Sequence, residues 1–270
     1  MDANDRGPLV GSAAGDPYGA IAELYDLEHQ GHAEDLDLYL NLAMVVGDPI
    51  LEVGCGSGRI LVSLAGAGHR VTGTDRSGAM LSRAQRAASE AGVAELVTLR
   101  AAEMTEASAA PGGPFGLAIV ALNGLLHLET QAAQRAALRA LRNALDPRGQ
   151  LVLDVLNPTP DALRALEGVH HEGSWTRADG TRIDKFSSRR VQPADQAIAT
   201  ELWYDLIKSD GGLRRIATSY TMRYVHHAEL ELMLEVAGFV EWQAYGSYDL
   251  DPFDDTAERL IVTAEVTPSP

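Results

Sequence analysis

Glu52 stands two residues ahead of the turn Gly54-Cys55-Gly56-Ser57-Gly58, and Asp75 follows Gly54 by twenty-one positions. Glycines in the turn after a strand let the backbone approach a ligand closely and take positive φ. The spacing is G-x-G-x-G, and Arg59 occupies the place where a dinucleotide fingerprint carries its third glycine. A phosphate loop would need Gly-Lys-Ser/Thr, which the segment lacks. A carboxylate at position 52 repels a pyrophosphate and suits a ligand with an ammonium or another cationic group. An acid at the end of the following strand, as at Asp75, is placed to accept from both hydroxyls of a ribose. The chemistry these residues point to is capture of a nucleoside that carries positive charge.

Further polar and aromatic residues cluster around the same region of the fold. His127 lies one helical turn beyond Asn123, after the fourth strand, and could act as a general base or a substrate positioner. Tyr18 and Tyr25 are seven apart and share a helix face. Tyr204, Tyr220 and Tyr224 fall on runs of period two, and His171 with Trp175 precedes them; all five, with Tyr25, are candidate substrate contacts. The pairs His170-His171 and His226-His227 lack metal-ligand spacing, so no metal is expected. The acid-rich run 249–255 reads as a solvated loop.

The elements that must position these residues follow from periodicity. Asp16-Pro17 signals a helix start, with a helix over 17–29 and a second over 33–46. Short apolar strands then alternate with helices: strands at 50–53, 69–74, 96–99, 117–122 and 151–156, helices to about 67 and over 77–91 and 131–145. That alternation predicts βαβ units and an α/β, Rossmann-like, mostly parallel sheet with helices on both faces. Runs at 183–191, 198–206 and 216–224, with Ser209-Asp210-Gly211-Gly212 between the last two, predict an antiparallel β insertion. A helix over 227–237, stopped by Gly238, and strands near 239–246 and 259–266 complete the pattern. The expected organisation is a mobile N-terminal arm (1–15), a core formed by 16–157 and 226–267 that includes lid helices (16–46), and a substrate-capping insertion (158–225). The chain closes on a Pro-rich tail.

The chain has 270 residues, 46% of them apolar and 22% charged, enough to bury a large core. A net charge of −16 argues against nucleic acid and anionic membranes as partners. Arg135, Arg139, Arg142 and Arg148, the nearest approach to a basic stripe, fit a solvated helix face. The single cysteine, Cys55, excludes an internal disulfide and a cysteine-based zinc site. No secretory signal is visible and the apolar stretch 117–126 is too short to span a bilayer, so a cytoplasmic protein is expected. The N-terminal helix could exchange between subunits and form a homo-oligomer.

The segment ILEVGCGSGRI (50–60) resembles motif I of the class I S-adenosylmethionine-dependent methyltransferases. Asp75 is similar to the ribose-binding acid of that family, Ala102-Glu103-Met104 to its adenine-binding stretch, and FGLAIVALNGLLH (115–127) to its fourth-strand motif. The segments 18–29 and 245–266 resemble a subgroup of bacterial enzymes of secondary metabolism that methylate small molecules, amino sugars and amines among them. The resemblance implies a sheet of seven strands in the order 3-2-1-4-5-7-6, with strand 7 antiparallel. It implies S-adenosylmethionine as cofactor, S-adenosylhomocysteine as product, and a small-molecule acceptor methylated at N, O or C. It places Tyr18, Glu52, Gly54, Cys55, Gly56, Gly58, Asp75, Arg76, Met80, Ala102, Glu103, Met104, Leu122 and Asn123 at the cofactor, Asn123 either bonding its methionine end or shaping the turn. His127 is the leading catalytic candidate.

Two departures stand out. Gly116 replaces an aspartate common before the fourth strand, and the Asn/Asp-Pro-Pro-aromatic motif that marks methylation of planar amines in nucleic acids and proteins is missing. The competing readings are an NAD(P)-dependent oxidoreductase, opposed by Glu52 and the missing third glycine, and a non-catalytic nucleoside-binding or assembly protein.

Overall fold

The computed structural model describes residues 16–29 and 33–267; the arm expected over 1–15 and the last residues of the Pro-rich tail lie outside them. Two sheets organise the described residues: a seven-stranded mixed sheet and a four-stranded antiparallel sheet.

The large sheet is built from β1 (Ile50–Val53), β2 (Val71–Asp75), β3 (Val97–Ala101), β4 (Phe115–Val120), β5 (Leu145–Leu156), β10 (Glu241–Tyr245) and β11 (Arg259–Glu265). Its order is β10-β11-β5-β4-β1-β2-β3, parallel except for β11, which runs antiparallel to both β5 and β10. Counting only this sheet's strands, that is the expected 3-2-1-4-5-7-6.

Every residue of β1 and β4 is buried, because helices cover both faces. Alternation decides which face each side chain serves. Leu51, Val53, Ala118 and Val120 pack with α5 (Gln131–Ala144) and α7 (His227–Ala237). Ile50, Leu117 and Ile119 pack with α2 (Leu36–Val46) and α3 (Arg59–Gly66). Burying each such aliphatic side chain stabilises the fold by about 1.5–3 kcal/mol. The departure at Gly116 has a steric cause, since a Cβ there would meet the Gly47 carbonyl oxygen at 2.7 Å.

The small sheet is a meander of β6 (Gly168–Thr176), β7 (Arg182–Gln192), β8 (Ala197–Ile207) and β9 (Leu213–Arg223). Three of these strands follow the sequence expectation. β6 and the short α6 (Pro160–Leu166) do not: β6 is an exposed edge strand with a bulge between His171 and Gly173, so its residues carry no clean two-residue period. The inner face of the meander buries Ile183, Leu202 and Tyr204 against Ile21 and Leu24 of the N-terminal segment.

That segment is a 3₁₀ turn (Gly19–Ile21) leading into α1 (Ala22–His29) rather than one continuous helix. Asp16 starts it, its Oδ1 accepting from the amides of Tyr18 and Gly19. Three further bonds fix it in place. Asp16 Oδ2 accepts from the Ser77 hydroxyl at 2.7 Å, just before α4 (Gly78–Glu90). The Thr218 hydroxyl donates to the Pro17 carbonyl at 2.6 Å, and Lys185 pairs with Glu28. The N-terminal segment is thus clamped between the core and the small sheet.

Candidate active site

The pocket opens at the C-terminal ends of β1, β2 and β4, where an open α/β sheet presents its ligand crevice. Gly54, Gly56 and Gly58 take φ of 75°, 53° and 91°, so the turn after β1 needs glycine at each. The loop is pinned from the neighbouring strand. The amides of Gly54 and Cys55 donate to the Thr74 carbonyl, and the Gly56 amide donates to Asp75 Oδ2 at 2.9 Å. Asp75 Oδ1 accepts from the Ser77 amide at 2.8 Å. One carboxylate therefore ties the glycine turn to the start of α4. Burial pushes its pKa up, opposed by those two amides.

Glu52 is a buried carboxylate in the pocket wall. It is 3% exposed, and its Oε2 has no hydrogen-bond partner. Burial raises its pKa to about 8, with the Arg59 guanidinium opposing. Arg59 lines the pocket beside it, held by two 2.6 Å bonds to the fully buried Asp35.

Beyond β4 the backbone turns through two left-handed residues, Leu122 (φ 46°) and Asn123 (φ 67°). The buried Asp154 on β5 holds this turn. Its Oδ2 accepts from the Leu122 amide at 3.0 Å and from the Tyr248 hydroxyl at 3.1 Å, and it pairs with Arg259. Asn123 Oδ1 accepts from the Leu156 amide at 2.7 Å, so its side chain shapes the turn.

The chain then enters a 3₁₀ turn (Gly124–His127) that brings His127 to the pocket wall. His127 Nε2 and the Tyr18 hydroxyl are hydrogen-bonded at 3.0 Å. The Tyr18 ring stacks on Tyr220 at 5.9 Å and meets Tyr25 edge-on at 5.8 Å; His127 lies 5.2 Å from the Tyr220 ring. Burial lowers the His127 pKa to about 4, with the Arg76 charge acting in the same direction, so the ring is neutral at pH 7. Burial also holds the Tyr18 phenol well above its ordinary value.

Fourteen of the residues singled out from the sequence line this one pocket: Tyr18, Tyr25, Glu52, Gly54, Cys55, Gly56, Asp75, Arg76, Met80, Ala102, Glu103, Met104, Leu122 and His127. Arg76 and Glu103 face each other at 3.7 Å, both about half exposed. Gly58 caps α3, where a Cβ would touch Ala84 at 3.0 Å. Tyr220 reaches the pocket through Tyr18 and His127.

The other substrate candidates sit apart from the pocket walls. Tyr204 is fully buried among Ile21, Leu24 and Leu202, and Tyr224 packs into the main core. His171 bonds the Ser174 hydroxyl at 3.0 Å, and Trp175 packs against the Tyr204 cluster. Arg59 lines the pocket, and Asp154 with its partner Arg259, neither of them among the expected site residues, holds the Leu122 turn at its wall. The signal for Asp154 was a lone charge inside an apolar strand, LVLDVL.

A nucleoside crevice with a fastened glycine turn, on a 3-2-1-4-5-7-6 sheet, defines a methyltransferase-type fold, and comparison with known proteins agrees. Residues 50–149 match the methyltransferase-domain family. A ubiquinone biosynthesis O-methyltransferase of Nitrosococcus oceani is 33% identical over 182 residues, covering 60% of this chain and 75% of that protein. A dTDP-3-amino-3,6-dideoxy-α-D-glucopyranose N,N-dimethyltransferase of Streptomyces fradiae is 27% identical over 231 residues, covering 82% and 84%. The solved structure of the CcbJ methyltransferase from Streptomyces caelestis superposes with a TM-score of 0.75 at 26% identity, covering 93% of this chain and 98% of that one. The chain belongs to the class I S-adenosylmethionine-dependent methyltransferases. It is an enzyme, and S-adenosylmethionine is its methyl donor. The residues present fit that cofactor: Glu52 Oε2, buried in the pocket wall, has no hydrogen-bond donor, and the cofactor carries an ammonium that can supply one.

Proposed function

We propose that the enzyme transfers a methyl group to an amine nitrogen of a small molecule, a reaction of secondary metabolism in the cytoplasm. In this reading Glu52 takes the cofactor's ammonium and Asp75 takes its ribose hydroxyls. Ala102, Glu103 and Met104 border the adenine. Tyr18 and Tyr25 line the same pocket, and a ring face turned to the sulfonium would add a cation–π attraction of about 0.5–2 kcal/mol.

The cofactor supplies an activated methyl group with its own leaving group. What the chain must add is orientation and exclusion of water. The state of His127 carries the choice of nitrogen. A histidine whose pKa is held at about 4 is fully neutral at pH 7, yet too weak a base to deprotonate an aliphatic hydroxyl. An amine needs no such help. Apolar walls such as Leu128 and Met104 favour its uncharged form, so its lone pair is available on arrival. After N–C bond formation the methylated nitrogen is an ammonium, which sheds its proton to water on leaving the pocket; the neutral His127 ring, bonded to the Tyr18 hydroxyl, is placed to orient the amine.

The relatives support the same reading. The alignment with the sugar N,N-dimethyltransferase covers 82% of this chain, against 60% for the ubiquinone O-methyltransferase. No described helix is long and apolar enough to cross a membrane.

The test is a panel of small amines, amino sugars included, each paired with its hydroxyl counterpart and assayed by mass spectrometry for methyl gain. Methylation of amines and not of their counterparts is the expected result. Methylation confined to hydroxyl compounds would overturn the assignment of nitrogen.

A further inference from the structure

A second cavity, of about 430 Å³, shares no lining residue with the cofactor pocket. Its walls come from three places: the 3₁₀ turn with the start of α1, the outer face of α4, and the small sheet with its β6–β7 turn. Four arginines line it, Arg83 and Arg86 from α4, Arg177 from the turn and Arg214 from β9, while Glu23 is its one acidic lining residue. Arg83 is paired with Asp26. Arg86, Arg177 and Arg214 make no ion pair with a carboxylate among the described residues, although Arg177 feels Asp179 on its own turn.

This gathering is against the grain of the chain. Acids outnumber basic residues 38 to 22, so a surface guanidinium ordinarily finds a carboxylate nearby. Like charges around one cavity repel, and the repulsion is relieved when an anion enters. The guanidinium fork matches phosphate oxygens two at a time, which a lysine cannot do. Three guanidiniums on separate elements, with no ion pair among the described residues, call for a ligand with more than one negative charge and several acceptor oxygens.

We propose that this cavity is a binding site for a di- or polyphosphate group, held by Arg86, Arg177 and Arg214 with Arg83 behind them. Such an anion would bridge the N-terminal segment, α4 and the small sheet. It arrives either as the free anion or as the phosphate end of a larger ester.

Calorimetry at low salt, in a buffer free of phosphate and sulfate, tests it on the full chain saturated with S-adenosylhomocysteine, with inorganic pyrophosphate as the probe. One site is expected. R86A/R214A, which removes two exposed arginines, should weaken it at least tenfold. R135A/R139A, which removes the same charge from α5, should stay within twofold. Should the first pair fail to fold, R177A alone should cost at least threefold. Titration of uridine diphosphate separates the sources: affinity tenfold above pyrophosphate indicates an ester, equal affinity the free anion. No binding of either probe at millimolar concentration, or equal losses in the two double variants, would overturn the site.

Discussion

The Tyr18 hydroxyl and His127 Nε2 meet at 3.0 Å, although 109 positions separate the two residues in the chain. The contact closes the N-terminal segment over the end of the pocket, with Tyr220 stacked behind. Tyr18→Phe keeps the stack and deletes the hydroxyl, so cofactor affinity should change less than threefold while kcat falls about tenfold. On the proposed reading His127→Ala removes the group that orients the amine and should lower kcat by about 10²-fold with cofactor affinity nearly intact. Calorimetry with S-adenosylhomocysteine beside steady-state kinetics separates the two quantities. A merely structural histidine would lower the melting temperature and leave kcat alone.

The same histidine makes stability depend on pH in a defined direction. Its pKa is about 4 in the fold, below the ordinary 6.5, so between those values the unfolded chain binds more protons. Its contribution is fully present above pH 6.5 and is lost as pH falls, approaching about 3 kcal/mol near pH 4. The melting temperature should drop more steeply from pH 6.5 to 4.5 in the native protein than in His127→Gln. Parallel curves would show that the ring is not held neutral by burial.

On the proposed function, the protonation of Glu52 governs cofactor capture. With its pKa raised to about 8, only about a tenth of the groups are ionised at pH 7 in the empty pocket. An ammonium partner needs the carboxylate, so S-adenosylhomocysteine should bind more tightly as pH rises from 6 to 8, with proton release on binding. Glu52→Gln should bind more weakly and show a flat profile over that range. A flat profile in the native protein would remove Glu52 from the ammonium.

Asp75→Ala tests the ribose contact and the turn together. Its carboxylate accepts from the amides of Gly56 and Ser77, so the variant orphans two donors at about 1–3 kcal/mol each where they are buried. Affinity for S-adenosylhomocysteine should fall at least tenfold. Asp75→Asn, which keeps one of the two accepting oxygens, should recover part of the stability and little of the affinity. Unchanged affinity in both would sink the ribose assignment.

The sheet was legible because its strands are short apolar runs between capped helices, and the glycine turn because only a ligand-facing strand end needs that spacing. Ser77 as the cap of α4 and Gly238 at φ 97° closing α7 follow from the same local rules. β6 was hidden, since an exposed edge strand with a bulge shows no alternation. The meeting of Tyr18 with Tyr220 was also hidden: a contact across some two hundred residues is decided by how the small sheet docks, which no local period encodes. Tyr204 and Tyr220 share a strand-pair pattern in the sequence, yet one is locked in core and the other faces His127.

Asp154 and Arg259 carry the last prediction. The carboxylate is fully buried on β5 and holds the Leu122 amide at the pocket wall, the Tyr248 hydroxyl and the Arg259 guanidinium. Removing one partner of such a pair strands the other charge without solvent, which costs about 3–5 kcal/mol. Arg259→Leu should therefore lower the melting temperature by roughly 6–20 °C, at about 2–4 °C per kcal/mol for a chain of this size. It should also weaken S-adenosylhomocysteine binding, because Leu122 loses the carboxylate that fixes its left-handed turn. Asp154→Leu/Arg259→Leu leaves no stranded charge and should recover part of the stability but not the affinity, since the Leu122 amide still lacks its acceptor. If the double variant restored both, the pair would be a device of stability alone, and the shape of the pocket wall would have to come from Asn123.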